Sequence, residues 1–332
     1  MSASTSDAGL ILIAELDSKR KITSRFAACF KDYRNPNKVL YPAHNLIAQR
    51  IYGLIMGYED INDHETLRHD PIFALAVGKV INSEQELAPL AGKSTLNRLE
   101  HCPEDVDSRE NSRYHRIEYD ALTIETLLVE LFLESYQKPP RQIIIDLDVT
   151  DDLVHGHQEE TFFNPYYRGY CYAPLYIFCG KQILATKLRA SNLDPAAWGL
   201  EELQRVIKII RLRWKNVKII IRGDSAYSRE DIMSWCESQT GIDYVLGLAP
   251  NNRLIQLSKS IHYRASQEYS GKLKPIVQFF ESLFPPSPDL KKDAAAFVDN
   301  SVWYCSLDYQ TLDSWSRSRR VVAKVDYSAR RN

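Results

Sequence analysis

The chain has 332 residues, of which 44% are hydrophobic and 26% charged, a balance that excludes long disorder and collagen-like repeats. That length allows two domains with a sizeable core. The formal net charge of -1 hides an uneven distribution: residues 1–138 hold 16 Lys and Arg against 21 Asp and Glu, residues 139–332 hold 26 against 22, and the stretch 181–222 holds 10 against 3. So basic a segment suits a polyanionic partner. The six cysteines (Cys29, Cys102, Cys171, Cys179, Cys236 and Cys305) form no CxxC pair and no zinc-finger spacing with histidine, which argues against structural zinc and for a reducing compartment. The apolar run 9–14 is too short for a signal peptide, and no apolar run reaches the length of a membrane span. A soluble, cytoplasmic protein is expected.

In chain order, the first 138 residues read as mostly helical. Leu46, Ile47, Ile51, Leu54 and Ile55 have helical spacing within 43–56, and Leu122, Leu127, Leu128, Leu131 and Phe132 repeat it before Pro139 and Pro140 mark a boundary. Residues 83–90, a turn at Ala91 and Gly92, and residues 93–100 outline a helix-turn-helix. A helical hairpin that only packs fits the same residues, and both readings stand. After Pro140 the pattern turns to strands. The β-branched run 142–148 predicts a buried strand, 166–178 and 182–188 predict two more, and 198–214 predicts an amphipathic helix. A second β run, 217–222, ends at Gly223 and Asp224; Ser228 suits the N-cap of a helix through Cys236, and 243–248 predicts another strand. The order is β-β-β-α-β-α-β. Between 250 and 300 the signal is weak, with an amphipathic stretch at 272–284 and a Pro-rich breaker after it. Late strands are expected at 303–307 and 320–325.

Asp146 and Asp148 fall on one face at the end of the first β run, and Asp224 ends the second. Two carboxylates at the mouth of a parallel-type sheet are costly unless solvated, paired or metal-bound, and open α/β sheets carry their sites there. If the two strands are neighbours, Asp148 and Asp224 converge, and a pair of hard oxygen donors suits Mg²⁺. His155 and His157 suit softer metals, find no third ligand nearby, and read as a turn. Phe162, Phe163, Tyr166 and Tyr167, with Arg168, suit either stacking on bases or packing of a hairpin.

These strings resemble the DDE transposases of bacterial insertion sequences. The resemblance spans nearly the whole chain: 57–60 (Gly-Tyr-Glu-Asp), Asn62 with Asp63, 67–71 (Leu-Arg-His-Asp-Pro), 94–100 (Ser-Thr-Leu-Asn-Arg-Leu-Glu), 146–152, 155–158 (His-Gly-His-Gln), Asn164 with Tyr166 and Tyr167, 222–225 (Arg-Gly-Asp-Ser) and 319–324. It implies an α/β fold, an RNase H-like mixed sheet preceded by a mainly helical DNA-binding domain. The expected boundaries are 1–138 for that domain, 139–250 for the catalytic core, 251–300 for an insertion and 301–332 for late, incomplete core strands. Asp148 and Asp224 become the first and second catalytic carboxylates and the ligands of Mg²⁺ or Mn²⁺, with Asp146 as their close neighbour. Double-stranded DNA at transposon ends, target DNA and a second copy in a homodimer become the partners. The family's catalytic Glu, on a helix after the last strand, has no counterpart after Val325, and Asp313 and Asp326 sit in unmatched contexts. A truncated copy without strand transfer is therefore expected. Two rival readings are a haloacid dehalogenase-like phosphatase, with Asp146 as nucleophile, and a non-catalytic DNA-binding remnant of a transposase.

Overall fold

The computed structural model describes residues 5–79, 89–104, 115–285, 287 and 289–328. It divides into two compact units: Met1–Pro140 with Lys181–Thr186 and Arg205–Lys215, and Arg141–Gly180 with Lys187–Gln204 and Asn216–Asn332. No helix among the described residues is long and apolar enough to cross a membrane.

In the first unit the helices are α1 (Leu10–Arg20), α2 (Ile22–Ala27), α3 (Ala43–Ile55), α4 (His64–Leu67), α5 (Pro71–Ala76), α6 (Lys93–Glu100) and α7 (Ala121–Glu134). Two short strands, β1 (Phe30–Asp32) and β2 (Ile117–Tyr119), pair antiparallel. Helix α3 stands between two small cores. Its Leu46 and Ile47 pack with Leu96 and Leu99, whereas its Ala48 and Tyr52 pack with Leu10 and Phe73. Leu54 and Ile55, expected inside, are exposed, because burial follows these two adjoining faces rather than a single stripe. The Asp-Pro pair opens α5: the Asp70 carboxylate accepts from the Ile72 and Phe73 N–H groups at 2.7 and 3.2 Å, and Pro71 occupies the first turn, where no N–H is needed. Buried Gln49 fixes the approach to α6, donating to the Ala91 carbonyl at 2.8 Å and accepting from the Ala91 N–H at 3.1 Å. Helix α6 buries Leu96 and Leu99 and exposes Lys93, Ser94 and Asn97. Residues 83–88 of the expected helix-turn-helix lie outside the described residues.

After Pro140 the chain runs through β3 (Gln142–Val149), β4 (Asp152–Leu153), β5 (Phe162–Asn164), β6 (Gly169–Tyr172), β7 (Leu175–Cys179) and β8 (Gln182–Lys187), of which residues 182–186 fall in the first unit. Then come α8 (Gly199–Arg213), whose residues from Arg205 on fall in the first unit, and, all in the second unit, β9 (Lys218–Gly223), α9 (Glu230–Ser238), β10 (Ile242–Leu246), α10 (Asn252–Leu283), α11 (Leu290–Ala295), β11 (Ser301–Tyr309) and β12 (Arg319–Tyr327). The main sheet of the second unit is mixed and sets β10, β9, β3 and β7 side by side in that order. Strand β3 lies parallel to β9 and antiparallel to β7, and β9 lies parallel to β10. Alternation sets the face: Ile143, Ile145 and Leu147 of β3, Ile219 and Ile221 of β9, and Leu175 and Ile177 of β7 are all buried.

Several expectations are corrected here. The stretch 166–178 is not one strand but β6 and β7, parted at Pro174, which has no N–H for a ladder. β6 joins β4 and β5 in a separate three-stranded sheet. The weak stretch after 250 is a 32-residue helix, α10, whose first turn is capped by the Asn251 side chain accepting from the Leu254 N–H at 3.0 Å. Helix α9 starts from Arg229 without a side-chain cap, not from Ser228. The late strands β11 and β12 form a two-stranded antiparallel sheet of their own.

Candidate active site

Asp146, Asp148 and Asp224 line one open cleft of about 460 Å³, together with Phe178, Arg222 and Gly223. The register explains the convergence. Burying Ile145 and Leu147 turns Asp146 and Asp148 to the other face of β3, and the parallel pairing sets Asp146 opposite Arg222 and Leu147 opposite Gly223. Asp224 then leaves the end of β9 beside the end of β3. This is the carboxyl edge of parallel strands, where open sheets bind their ligands.

The three acids have different surroundings. Both oxygens of Asp146 are held by Arg222, whose Nε and Nη2 donate at 2.5 and 2.8 Å. That pairing pushes the Arg222 pKa up. Asp148 accepts from the Val149 N–H at 2.9 Å, and Asp224 accepts from the Ala226 N–H at 2.9 Å, capping the short 3-10 turn Ser225–Tyr227. Each of these two uses one oxygen to fix its orientation, and the second has no hydrogen-bond partner among the described residues.

A supporting layer that the sequence reading did not single out lies behind Asp224. A Cβ added at Gly247 would stand 2.9 Å from the Ser225 nitrogen and 3.0 Å from the Asp224 carbonyl carbon, so only glycine lets this backbone approach the acid's own. A Cβ on Gly223 would stand 3.0 Å from the Tyr227 ring. The Tyr227 side chain is fully buried; burial, with Asp224 and Asp148 nearby, pushes its hydroxyl pKa well up against the opposing pull of Arg189. Buried Arg189 donates through Nε to the Ala173 carbonyl at 2.9 Å and through Nη1 to the Ala197 carbonyl at 2.6 Å, bracing the chain before α8. Gly223 and Tyr227 belong to a string legible in the sequence; Gly247 and Arg189 carried no local signal.

Two carboxylates with spare oxygens are a donor set that fits Mg²⁺ or Mn²⁺, ions that leave open positions for water and substrate oxygens. Among the described residues no group of three or more His, Cys, Asp or Glu side chains is placed to hold a metal. His155 and His157 lie in an exposed turn about Gly156. Asp313 and Asp326 do not line the cleft. The basic stretch is more neutralised than its composition indicates. Lys187 pairs with Glu202 at 3.4 Å, Arg205 with Glu125 at 3.3 Å, Lys218 with Asp243 at 2.9 Å and Arg222 with Asp146, while Arg189 is buried on carbonyls. Lys181, Lys208, Arg213 and Lys215 are exposed. Phe162, Phe163, Tyr166 and Tyr170 are exposed on and beside the three-stranded sheet.

Residues 2–331 match the model of a protein family described as transposase DDE domain, group 1. No curated protein is detectably similar. Solved structures with some likeness include the Mos1 transposase paired-end complex with left transposon end, at 9% identity over 74% of this chain and 69% of that chain with a TM-score of 0.23. Another is a pre-cleavage Mos1 transpososome, at 9% identity over 74% and 70% with a TM-score of 0.22.

Proposed function

Because the chain belongs to the DDE transposase family, group 1, we propose that it is the transposase of a bacterial insertion sequence, acting in the cytoplasm on the DNA ends of its element. In this reading Asp148 and Asp224 hold Mg²⁺ or Mn²⁺ in an RNase H-like core, and Asp146 with Arg222 keeps the end of β3 in register with β9. The observation that carries the reading is the shared cleft of Asp148 and Asp224, each with one oxygen anchored and one to spare. When bound, the metal would supply Lewis-acid activation of the attacking oxygen and stabilisation of the leaving oxygen of a phosphodiester.

The division of labour follows the expected boundaries: DNA binding in 1–138, chemistry in 139–250, an insertion in 251–300 and flanking strands in 301–332, with two copies meeting on the DNA. The exposed face of α6, with Lys93, Ser94 and Asn97, would read base edges, and Lys181, Lys208, Arg213 and Lys215 would neutralise phosphates. The described residues supply two carboxylates where a two-metal reaction needs further anchoring, so this chain is expected to bind ends and one ion but not to join strands unaided. The phosphatase alternative needs Asp146 as a nucleophile, and both its oxygens are engaged by Arg222.

The test combines a gel shift on DNA carrying the element's ends with a Mn²⁺ titration. Salt-sensitive end binding that survives Asp224→Asn, with Mn²⁺ binding lost in that variant, is expected. Hydrolysis of a small phosphomonoester, or the absence of any affinity for DNA at low salt, would sink the reading.

A further inference from the structure

A cavity of about 1230 Å³ separates β10 from β12. Every residue of 242–248 lines one wall, and every residue of 317–325 lines the other. A strand seen face-on contributes alternate residues; consecutive residues mean that a strand edge is turned to the space. The ladder agrees. The Gly241 carbonyl accepts from the Ile219 N–H, and the Gly247 N–H donates to the Gly223 carbonyl, each at 2.9 Å, so the odd positions of β10 bond to β9. The N–H and C=O groups of Ile242, Tyr244 and Leu246 therefore point the other way, into the cavity. Among the described residues strand β10 ends the main sheet, and β12 has only β11 beside it. Two edges with no paired strand among the described residues thus flank one slot, the arrangement that recruits another strand.

The slot has a floor and a rim. Tyr244, Leu246, Leu254 and Val321 pack with Met233 and Trp315 in an apolar cluster between the two strands. On the outer face of β12, Arg320 and Lys324 are exposed, while Asp243 of β10 is already paired with Lys218 at 2.9 Å. We propose that the slot receives an extended segment of a partner polypeptide, alternating apolar and acidic residues, which pairs with both edges and joins the two sheets into one. Only an extended peptide offers N–H and C=O groups on both sides at once. Its apolar side chains meet the floor, and its acidic side chains stand beside Arg320 and Lys324, as cross-strand pairs require.

The experiment uses the full chain and a fluorescein-labelled heptapeptide alternating Val and Glu, followed by fluorescence anisotropy and amide hydrogen exchange. Saturable binding is expected, with slowed exchange at Tyr244 and Leu246, and binding weaker by about tenfold or more when Lys replaces Glu in the peptide. Leu246→Pro deletes an outward N–H and leaves the odd-numbered bonds to β9; it should weaken binding by a similar factor. If circular dichroism finds that variant unfolded, Arg320→Glu combined with Lys324→Glu, both on the exposed face, carries the test by the same loss. No saturable binding, or protection confined to other strands, overturns the proposal. So does a concentration-dependent dimer in ultracentrifugation that the Glu double variant abolishes, since the occupant would then be a second copy of this chain.

Discussion

Two pairs of acids in the second unit stand in opposite situations. Glu230 and Glu237, one helical face of α9, are saturated. Arg319, itself buried, donates to Glu230 at 2.7 Å and to Glu237 at 2.8 Å; Ser316 N–H adds 3.1 Å to Glu230, Tyr244 adds its hydroxyl to Glu237 at 2.6 Å, and Arg317 closes on Glu237 as well. Asp148 and Asp224 each have one backbone N–H and nothing more among the described residues. The contrast separates an acid that holds a fold together from one kept available. Lone pairs spent on a guanidinium cannot also take a cation, so partner saturation, not acidity of the neighbourhood, picks out the candidate ligands.

The largest effect should come from exchanging the roles. Asp224→Asn is expected to lower Mn²⁺ affinity by more than about 10²-fold with the fold retained, whereas Glu230→Gln leaves Mn²⁺ affinity unchanged. Calorimetric titration of both variants checks the pair, and equal losses would erase the distinction. Next, Arg319→Ala removes the buried cation shared by two partly exposed carboxylates, which keep Ser316, Tyr244 and Arg317, and should cost about 1–3 kcal/mol in denaturant unfolding while sparing Mn²⁺ binding.

The same latch has a pH signature. Burial alone would raise the Glu237 carboxyl, but hydrogen bonds from Arg319, Tyr244 and Arg317 outweigh it and hold the pKa down at about 2. A depressed folded pKa means stability that is present above the unfolded value of about 4.3 and lost as pH falls toward 2. Thermal unfolding followed from pH 5 to 2 should fall steeply in the native chain and more gently in Arg319→Ala. Smaller still, Gly247→Ala should push the Asp224 backbone and weaken Mn²⁺ binding by roughly tenfold, with a lowered Tm because the new Cβ meets backbone rather than a movable side chain. Smallest, Arg222→Ala frees Asp146 and removes a cation from the cleft, so Mn²⁺ affinity should rise by roughly threefold.

How much of this was legible in the sequence depends on the range of the force involved. The β-branched runs that end in Asp148 and Asp224 stand out because local propensity and position in the strand agree. Arg222 was visible too, but its charge counted toward a basic stretch, since nothing local reveals that a parallel register sets it opposite Asp146. Glu230 sits in the first turn of α9, where the helix dipole favours any acid, and its partner Arg319 lies 89 residues further on. Gly247 had no signature at all, because the need for a missing Cβ there arises only when Asp224 comes to rest against it.

The parallel pairing of β3 with β9 also has a consequence for how the protein folds. Asp146 and Arg222 are 76 residues apart, so the contact that unites the two acids' strands closes a longer loop than the pairing of β3 with β7. Closing the longer loop costs about 1 kcal/mol more than closing the shorter one, and such non-local pairing is the slower of the two. The antiparallel pairing of β3 with β7, with less chain to close, should assemble first, leaving Asp148 in place before Asp224 arrives. A divalent ion bound by both would then act on the rate of unfolding more than on the rate of folding, holding shut the last seam to close.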